Sequence, residues 1–136
     1  MRYVLLSALL GLLAVWLGLG PKSSAAHIQI EDAWVHETTE PRAVLHLRIK
    51  TTGTRGDQFV RASGELAHRI VIIDHQGKET RALSIPADST WVMEADAPRV
   101  ELVGLTRALK AGDTFGIQLV FERAGKIQHV VRVNGP

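Results

Sequence analysis

Apolar and polar residues alternate along most of the chain after residue 26, and this period of two is typical of β-strands. The alternation is clearest in segments 43–50 and 115–121, where every second residue is apolar. Residues 70–73 instead form a continuous β-branched run, which is typical of a strand that is covered on both faces. The pattern therefore predicts sheets whose apolar faces pack around a common core.

Turn-forming residues separate these segments at positions 74–78, 86–90 and 96–98. The spacing predicts roughly seven to nine short strands, as in a sandwich or barrel. Only residues 106–111 have a pattern that is compatible with a helical turn. The fold class that we expect is therefore all-β, in the form of an antiparallel β-sandwich.

The first 26 residues have a different pattern. Arg2 precedes an apolar segment over residues 3–20, and small residues follow at 23–26. This order is typical of a secretory signal peptide, and we predict cleavage before His27, which leaves residues 27–136 as one β-sandwich domain. The alternative is an uncleaved membrane anchor, because about 18 apolar residues can just span a bilayer.

Charge and cysteine content narrow the functional classes. Removal of residues 1–26 takes away Arg2 and Lys22, which leaves equal numbers of basic and acidic residues. A nucleic-acid-binding surface requires a clustered excess of basic residues, so we expect no nucleic-acid partner. The chain has no cysteine, which excludes disulfides and thiol chemistry. It also has neither a nucleophile elbow nor a phosphate loop, so we predict that the protein is not an enzyme.

Several motifs resemble those of the PCu(A)C family of periplasmic copper chaperones. They are an opening strand at residues 30–34 (IEDAW), the segment 83–87 (LSIPA), a compact turn at 104–113 and a last hairpin turn at 123–126. Their order and spacing extend the similarity over residues 28–133. The resemblance implies an exported protein with a cupredoxin-like or immunoglobulin-like Greek-key fold. It also implies a role in copper delivery toward cytochrome oxidase assembly factors.

The same resemblance implies a Cu(I) site made of two His and two Met, since soft thioether and imidazole donors suit this ion. The matching positions in this chain hold Ile73, Arg99 and Glu101, and the remaining one falls near Thr80. We call Ile73, Arg99 and Glu101 the family copper position. The only methionine after the leader is Met93, which we expect in the core. We therefore expect no metal at the family copper position.

His27 and His75 are weaker candidate copper ligands. After cleavage, the amino group and imidazole of His27 could together chelate Cu(II); the alternative is an unstructured terminus. His75 lies in a turn just after Ile73 and could be a displaced ligand or simply an exposed side chain. His46 is expected on the polar face of its strand, and no spacing singles out His36.

Three functions remain open at this point. The first is an exported copper chaperone-like protein of the PCu(A)C family that is degenerate in metal binding. The second is a non-metallated periplasmic adaptor, in which Arg99 and Glu101 form a contact patch for another envelope protein. The third is a Cu(II)-binding protein that uses an amino-terminal His27. Membrane contact is expected only through the N-terminal segment, if it is not cleaved.

Overall fold

The computed structural model of the protein describes residues 23–25, 27–96 and 98–136. These residues form eleven β-strands and contain no helix, and thus no helix that could cross a membrane. The proposed signal segment lies outside the described residues except for 23–25. The strands are β1 (Ser23–Ala25), β2 (Ile28–His36), β3 (Arg42–Thr51), β4 (Asp57–Ser63), β5 (Ala67–Ile73), β6 (Glu79–Thr80), β7 (Leu83–Ile85), β8 (Thr90–Met93), β9 (Arg99–Leu105), β10 (Thr114–Phe121) and β11 (Gly125–Asn134).

The strands form one continuous hydrogen-bonded sheet in the order β6-β5-β9-β3-β2-β11-β10-β4-β7, with β1 added to β2 and β8 added to β3. The predicted all-β class is confirmed. The last strand, β11, lies parallel to β2. The other strand pairs are antiparallel. The sheet folds over so that apolar residues from both of its halves meet in one core.

The core contains the residues that the alternation predicted. On β3, Leu45, Leu47 and Ile49 are buried while the residues between them point outward. Phe59 and Phe121 pack against each other with ring centroids 5.4 Å apart. The largest of the other fully buried side chains are Ile28, Ile30, Ile85, Met93, Leu102, Ile117 and Leu119. Met93 is therefore a core residue, as predicted.

The segment at 106–111, which was compatible with a helical turn, is not helical. Its Leu109 is buried and forms a two-way backbone bridge with Thr38, with N–O distances of 2.9 and 3.0 Å. Burial of one apolar side chain and pairing of its backbone hold this loop in an extended conformation. Gly104, just before it, has a φ of +72°, and a Cβ there would lie 2.8 Å from the His68 ring, so glycine is required.

Two irregularities position the outer face of the sheet. The β2–β3 register shifts by one residue between Ile30 and Asp32, which is a β-bulge. In addition, β3 changes partner along its length: its first half pairs with β9 up to Leu45, and its second half pairs with β8 from Leu47 onward. His46 lies between the two ladders, at the point where the partner changes.

Substitutions on the buried and exposed faces of the sheet should differ in their effect on stability. We expect Leu119→Ala to lower the free energy of unfolding by about 2–5 kcal/mol, because Leu119 is completely buried and truncation leaves a cavity. Val130→Ala, at a side chain that is 61% exposed on the next strand, should change it by less than about 0.5 kcal/mol. Urea unfolding measures both; similar losses in the two variants would show that the faces are wrongly assigned.

Candidate functional site

The family copper position lies on β9 and β5, where Arg99 and Glu101 are half-buried and Ile73 is buried. Arg99 pairs with Ile73 across these strands, so the two residues are direct neighbours. Nε of Arg99 donates a hydrogen bond of 2.7 Å to Oε1 of Glu101, and Nη2 of Arg42 lies 3.1 Å from Oε2 of the same carboxylate. We call these three charged residues the Arg42–Glu101–Arg99 cluster.

The charge of this cluster opposes a bound cation. Two guanidinium groups share one carboxylate, which leaves one positive charge unbalanced. Thioether sulfur is also missing from this surface, because Met93 is buried in the core. The arrangement is therefore unsuited to the Cu(I) site that the family resemblance implies.

His75 lies in the tight turn between β5 and β6. Oδ1 of Asp74 accepts hydrogen bonds of 2.9 Å from the backbone N–H groups of Gln76 and Lys78, which fix this turn. The His75 side chain is exposed and borders an open cleft of about 340 Å³ that Trp91 also lines. In the part of the chain that the structure describes, no three His, Cys, Asp or Glu side chains are grouped to hold a metal, so His75 belongs to no preformed site of that kind.

His27 is held in place by a buried carboxylate. Its Nε2 lies 2.9 Å from Oδ2 of Asp57, whose side chain is completely buried. Asp57 also accepts hydrogen bonds from the backbone N–H groups of Gln58, Arg123 and Ala124, at 2.7, 2.8 and 2.9 Å. Asp57 thereby joins the residue before β2 to the turn between β10 and β11. In the uncleaved chain, His27 is therefore connected to the rest of the fold through Asp57.

The same hydrogen bonds keep Asp57 ionised in the folded protein. Burial alone would raise the pKa of Asp57, but the backbone N–H groups of Arg123, Gln58 and Ala124, together with the His27 imidazole, hold it below its ordinary value. A carboxylate with a lowered pKa stabilises the fold at pH values above its unfolded pKa of about 3.9. That contribution is lost as the pH falls through the lower, folded pKa.

The structure brings together three ring side chains on the outer face of β2 and β3. Trp34 and His46 are cross-strand partners, and their rings stack with centroids 4.0 Å apart and planes only 7° apart. His36 meets the Trp34 ring edge-on at 4.7 Å and the His46 ring, also at a steep angle, at 5.5 Å. We call them the Trp34–His36–His46 cluster. His36 is exposed and the other two side chains are half-buried.

Polar and charged residues surround this cluster. It borders an open depression of about 290 Å³ that Glu37 and Arg42 also line. Burial lowers the pKa of His46, and the neighbouring His36 lowers it further, whereas Glu94 acts in the opposite direction. Burial therefore favours the neutral imidazole of His46, which is the form that binds a metal.

Sequence reasoning placed His46 on a polar strand face but did not connect it with His36. Trp34 and His36 are two residues apart and therefore share a face of β2, which was a readable signal. Their meeting with His46 depends on the register between β2 and β3, which the bulge after Ile30 shifts by one residue. A register of this kind is set by the packed core and cannot be obtained from one strand alone.

Comparison with solved structures shows what fold this arrangement belongs to. The chain is similar to the apo PCuAC domain from PmoF1, with a TM-score of 0.79 and 21% identity over 85% of this chain and 99% of that one. It is similar to the copper-bound PCuAC domain from PmoF2, with a TM-score of 0.76 and 23% identity over 85% and 98% of the two chains. It also resembles Cu(I)-DR1885 from Deinococcus radiodurans, with a TM-score of 0.67 and 21% identity over 85% and 81%. At these identities the likeness establishes the fold.

Comparison by sequence identifies one family. The family described as "Putative lipoprotein LpqE-like" matches residues 28–133, which is nearly all of the described chain. No curated protein matches the sequence. The resemblance to PCu(A)C proteins that the motifs predicted is thus confirmed.

The Asp57 contacts predict a specific dependence of stability on pH. We expect Asp57→Asn to lower the free energy of unfolding at pH 7 by about 2 kcal/mol or more, because hydrogen bonds to a charged acceptor are lost. The difference from the wild type should shrink as the pH falls from about 4, where the carboxylate of the unfolded chain becomes protonated, down through the lower pKa of the folded protein. Urea unfolding from pH 7 to pH 3 measures this difference.

The matched control is Asp88→Asn, which removes an acidic charge from an exposed turn residue. At pH 7 it should change the free energy of unfolding by less than about 0.5 kcal/mol. A difference between wild type and Asp57→Asn that stays constant from pH 7 to pH 3 would contradict the role assigned to the ionised carboxylate.

Proposed function

The chain belongs to the LpqE-like family and has the fold of PCuAC domains, and on this basis we propose that it is an exported copper-handling protein whose copper ligands are imidazole nitrogens. It is chaperone-like, in that it binds and passes on copper, and it is degenerate at the family copper position. Two of the solved structures with the same fold are copper-bound, those of the PmoF2 domain and DR1885. Copper is the cargo in this proposal and not a resident cofactor.

The observation that carries the proposal is the Arg42–Glu101–Arg99 cluster at the family copper position. Its three side chains neutralise one another in part, and Glu101 has only 12% of its side chain exposed. A cation placed there would compete with two guanidinium groups for one carboxylate. Copper bound by this chain would therefore use other donors. The chain has no cysteine and Met93, the one methionine of the described residues, is buried, so histidine imidazoles are the remaining donors that suit copper.

Export is supported by two features. The N-terminal sequence has the basic start, apolar run and small-residue exit of a signal peptide, and the matching family is described as one of lipoproteins. Copper handling in the periplasm requires a donor and an acceptor for the ion. We propose that the partners are other copper proteins of the envelope, such as cytochrome oxidase assembly factors, and that the protein acts by binding rather than by catalysis.

A second candidate function is Cu(II) binding at an amino-terminal His27, and the contact with Asp57 favours it. Asp57 engages Nε2 of His27, which leaves Nδ1 as the nitrogen that can join the α-amino group in a six-membered chelate. A carboxylate on the second ring nitrogen is the common outer contact of metal-binding histidines. This candidate requires cleavage before His27, and an added N-terminal residue would abolish it.

The adaptor function uses the same charged surface for a different purpose. Arg42 has 60% of its side chain exposed and Arg99 has 25%, whereas Glu101 is held between them. An acidic partner would therefore meet the two guanidinium groups, and Arg99→Glu would abolish its capture from envelope extracts. A set of captured proteins that does not change with Arg99→Glu would exclude this surface as the contact.

Copper titration of the purified exported protein tests the proposed function. We expect about one copper ion per chain to resist competition by a chelator. The double variant R99Q E101Q should leave the copper Kd within twofold of the wild type, because neither residue is a ligand in the proposal.

Two results would contradict it. A wild-type Kd no better than that of a ligand-free β-sandwich of similar size would exclude copper handling. A large loss of copper affinity in R99Q E101Q would show that the metal binds at the family copper position.

A further inference from the structure

The Trp34–His36–His46 cluster combines two histidines with one tryptophan on an accessible surface. His36 and His46 come from neighbouring strands, and their ring centroids lie 5.5 Å apart with an angle of 87° between the planes. Both rings also contact Trp34. Neither histidine lies at the family copper position, and neither is bonded to Asp57.

The distance between the two imidazoles matches that of two ligands on one metal ion. With a metal–nitrogen distance of about 2.0 Å, the centroid of a bound imidazole lies about 3.2 Å from the ion. Two such centroids are then about 5.2 Å apart at a tetrahedral angle and about 6.4 Å apart when the ligands are opposite. The observed 5.5 Å falls within this range, so the spacing of the two rings is compatible with a shared ion.

The stacking of Trp34 on His46 orients the ring without blocking it. An imidazole binds a metal through a nitrogen lone pair in the plane of the ring, whereas Trp34 covers its face at a centroid distance of 4.0 Å. Contact with a flat indole restricts rotation of His46 and thereby reduces the entropy that is lost when a metal binds. The depression of about 290 Å³ beside the rings gives access from solvent.

We propose that His36 and His46 form a two-imidazole copper site with Trp34 as the packing support of His46. The proposal rests on the proposed copper-handling function and names its ligands. Imidazole is a good donor for copper, and divalent copper stands highest in the affinity series of first-row ions.

The described side chains supply no preformed third donor from His, Cys, Asp or Glu, so the remaining coordination positions are open to water or to a partner. An ion that is held by only two protein ligands on an open surface can be transferred to a partner that provides more ligands. A copper carrier requires such a transfer.

The site lies beside the family copper position. Leu45 pairs with Val100 at the end of the β3–β9 ladder. The next residues along the two strands are His46 and Arg99, which are therefore neighbours. Arg99 is paired with Glu101. Arg42 and Glu37 both line the depression beside the two imidazoles, so the positive charge of Arg42 faces a carboxylate there as well as a cation. The two-imidazole site thus uses the face of the fold that is expected to carry copper, but with ligands from β2 and β3.

Fluorescence of Trp34 can report directly on this site. The chain has three tryptophans, so in the full chain carrying W16F and W91F only Trp34 remains. We expect Cu(II) to quench its emission with saturation near one ion per chain, because the ion lies next to the stacked pair. H36Q and H46Q should each raise the Cu(II) Kd at least tenfold, as measured by chelator competition so that the value does not depend on the fluorescence signal.

Matched controls separate this site from the other histidines. H68Q and H75Q, at exposed positions on β5 and in the turn after it, should leave the Kd within twofold, and circular dichroism with Tm values shows that each variant is folded. An unchanged Kd in the H36Q H46Q double variant would overturn the assignment while leaving copper handling intact. Loss of copper binding in H27Q alone would also overturn the assignment, because it would show that the ion binds at the amino terminus. A wild type that binds no copper would overturn the proposed function itself.

Discussion

The pairing of β2 with β3 determines which side chains of this protein face the core and which face solvent. After Ile30 the register shifts by one residue, so that Trp34 lies opposite His46. A slip of one residue would turn the whole strand over, which would bury His46 and expose Leu47. Burial of the apolar face of β3 therefore selects the observed register, and this register in turn places two imidazoles and an indole within contact of one another.

The outer face of the sheet has a different chemistry from that expected of a soft-metal carrier. At the family copper position, Glu101 lies between Arg42 and Arg99. Among the described residues, the one methionine, Met93, is inside the core. The Arg42–Glu101–Arg99 cluster satisfies its own charges without a metal, and its guanidinium groups disfavour the binding of a cation. One strand away, the Trp34–His36–His46 cluster presents imidazole nitrogens on an open surface. In our proposal the scaffold of a copper carrier is kept while the donor atoms are nitrogen in place of sulfur.

Much of the fold could be predicted from the sequence, because strict alternation on β3 and β10 needs only a period of two to be read. The parallel pair of β11 with β2 could not, since strand order depends on contacts between distant segments. The loop containing Leu109 was ambiguous for a related reason: its extended form depends on a bridge to Thr38.

The candidate site, like the fold, could be predicted only in part from the sequence. The loss of thioether ligands is visible in a residue count, whereas the meeting of His36 with His46 requires the bulged register of β2. The role of Asp57 was also hidden, because three of its four hydrogen-bond donors are backbone groups that no side-chain pattern reveals.

X-ray absorption spectroscopy of the copper-loaded protein at the copper edge tests most directly whether nitrogen has replaced sulfur on this fold. The structure predicts a first shell of nitrogen and oxygen atoms only, at about 2.0 Å, with the outer-shell scattering of two imidazole rings. A sulfur atom at about 2.3 Å would contradict it, because the proposed two-imidazole site has no sulfur donor.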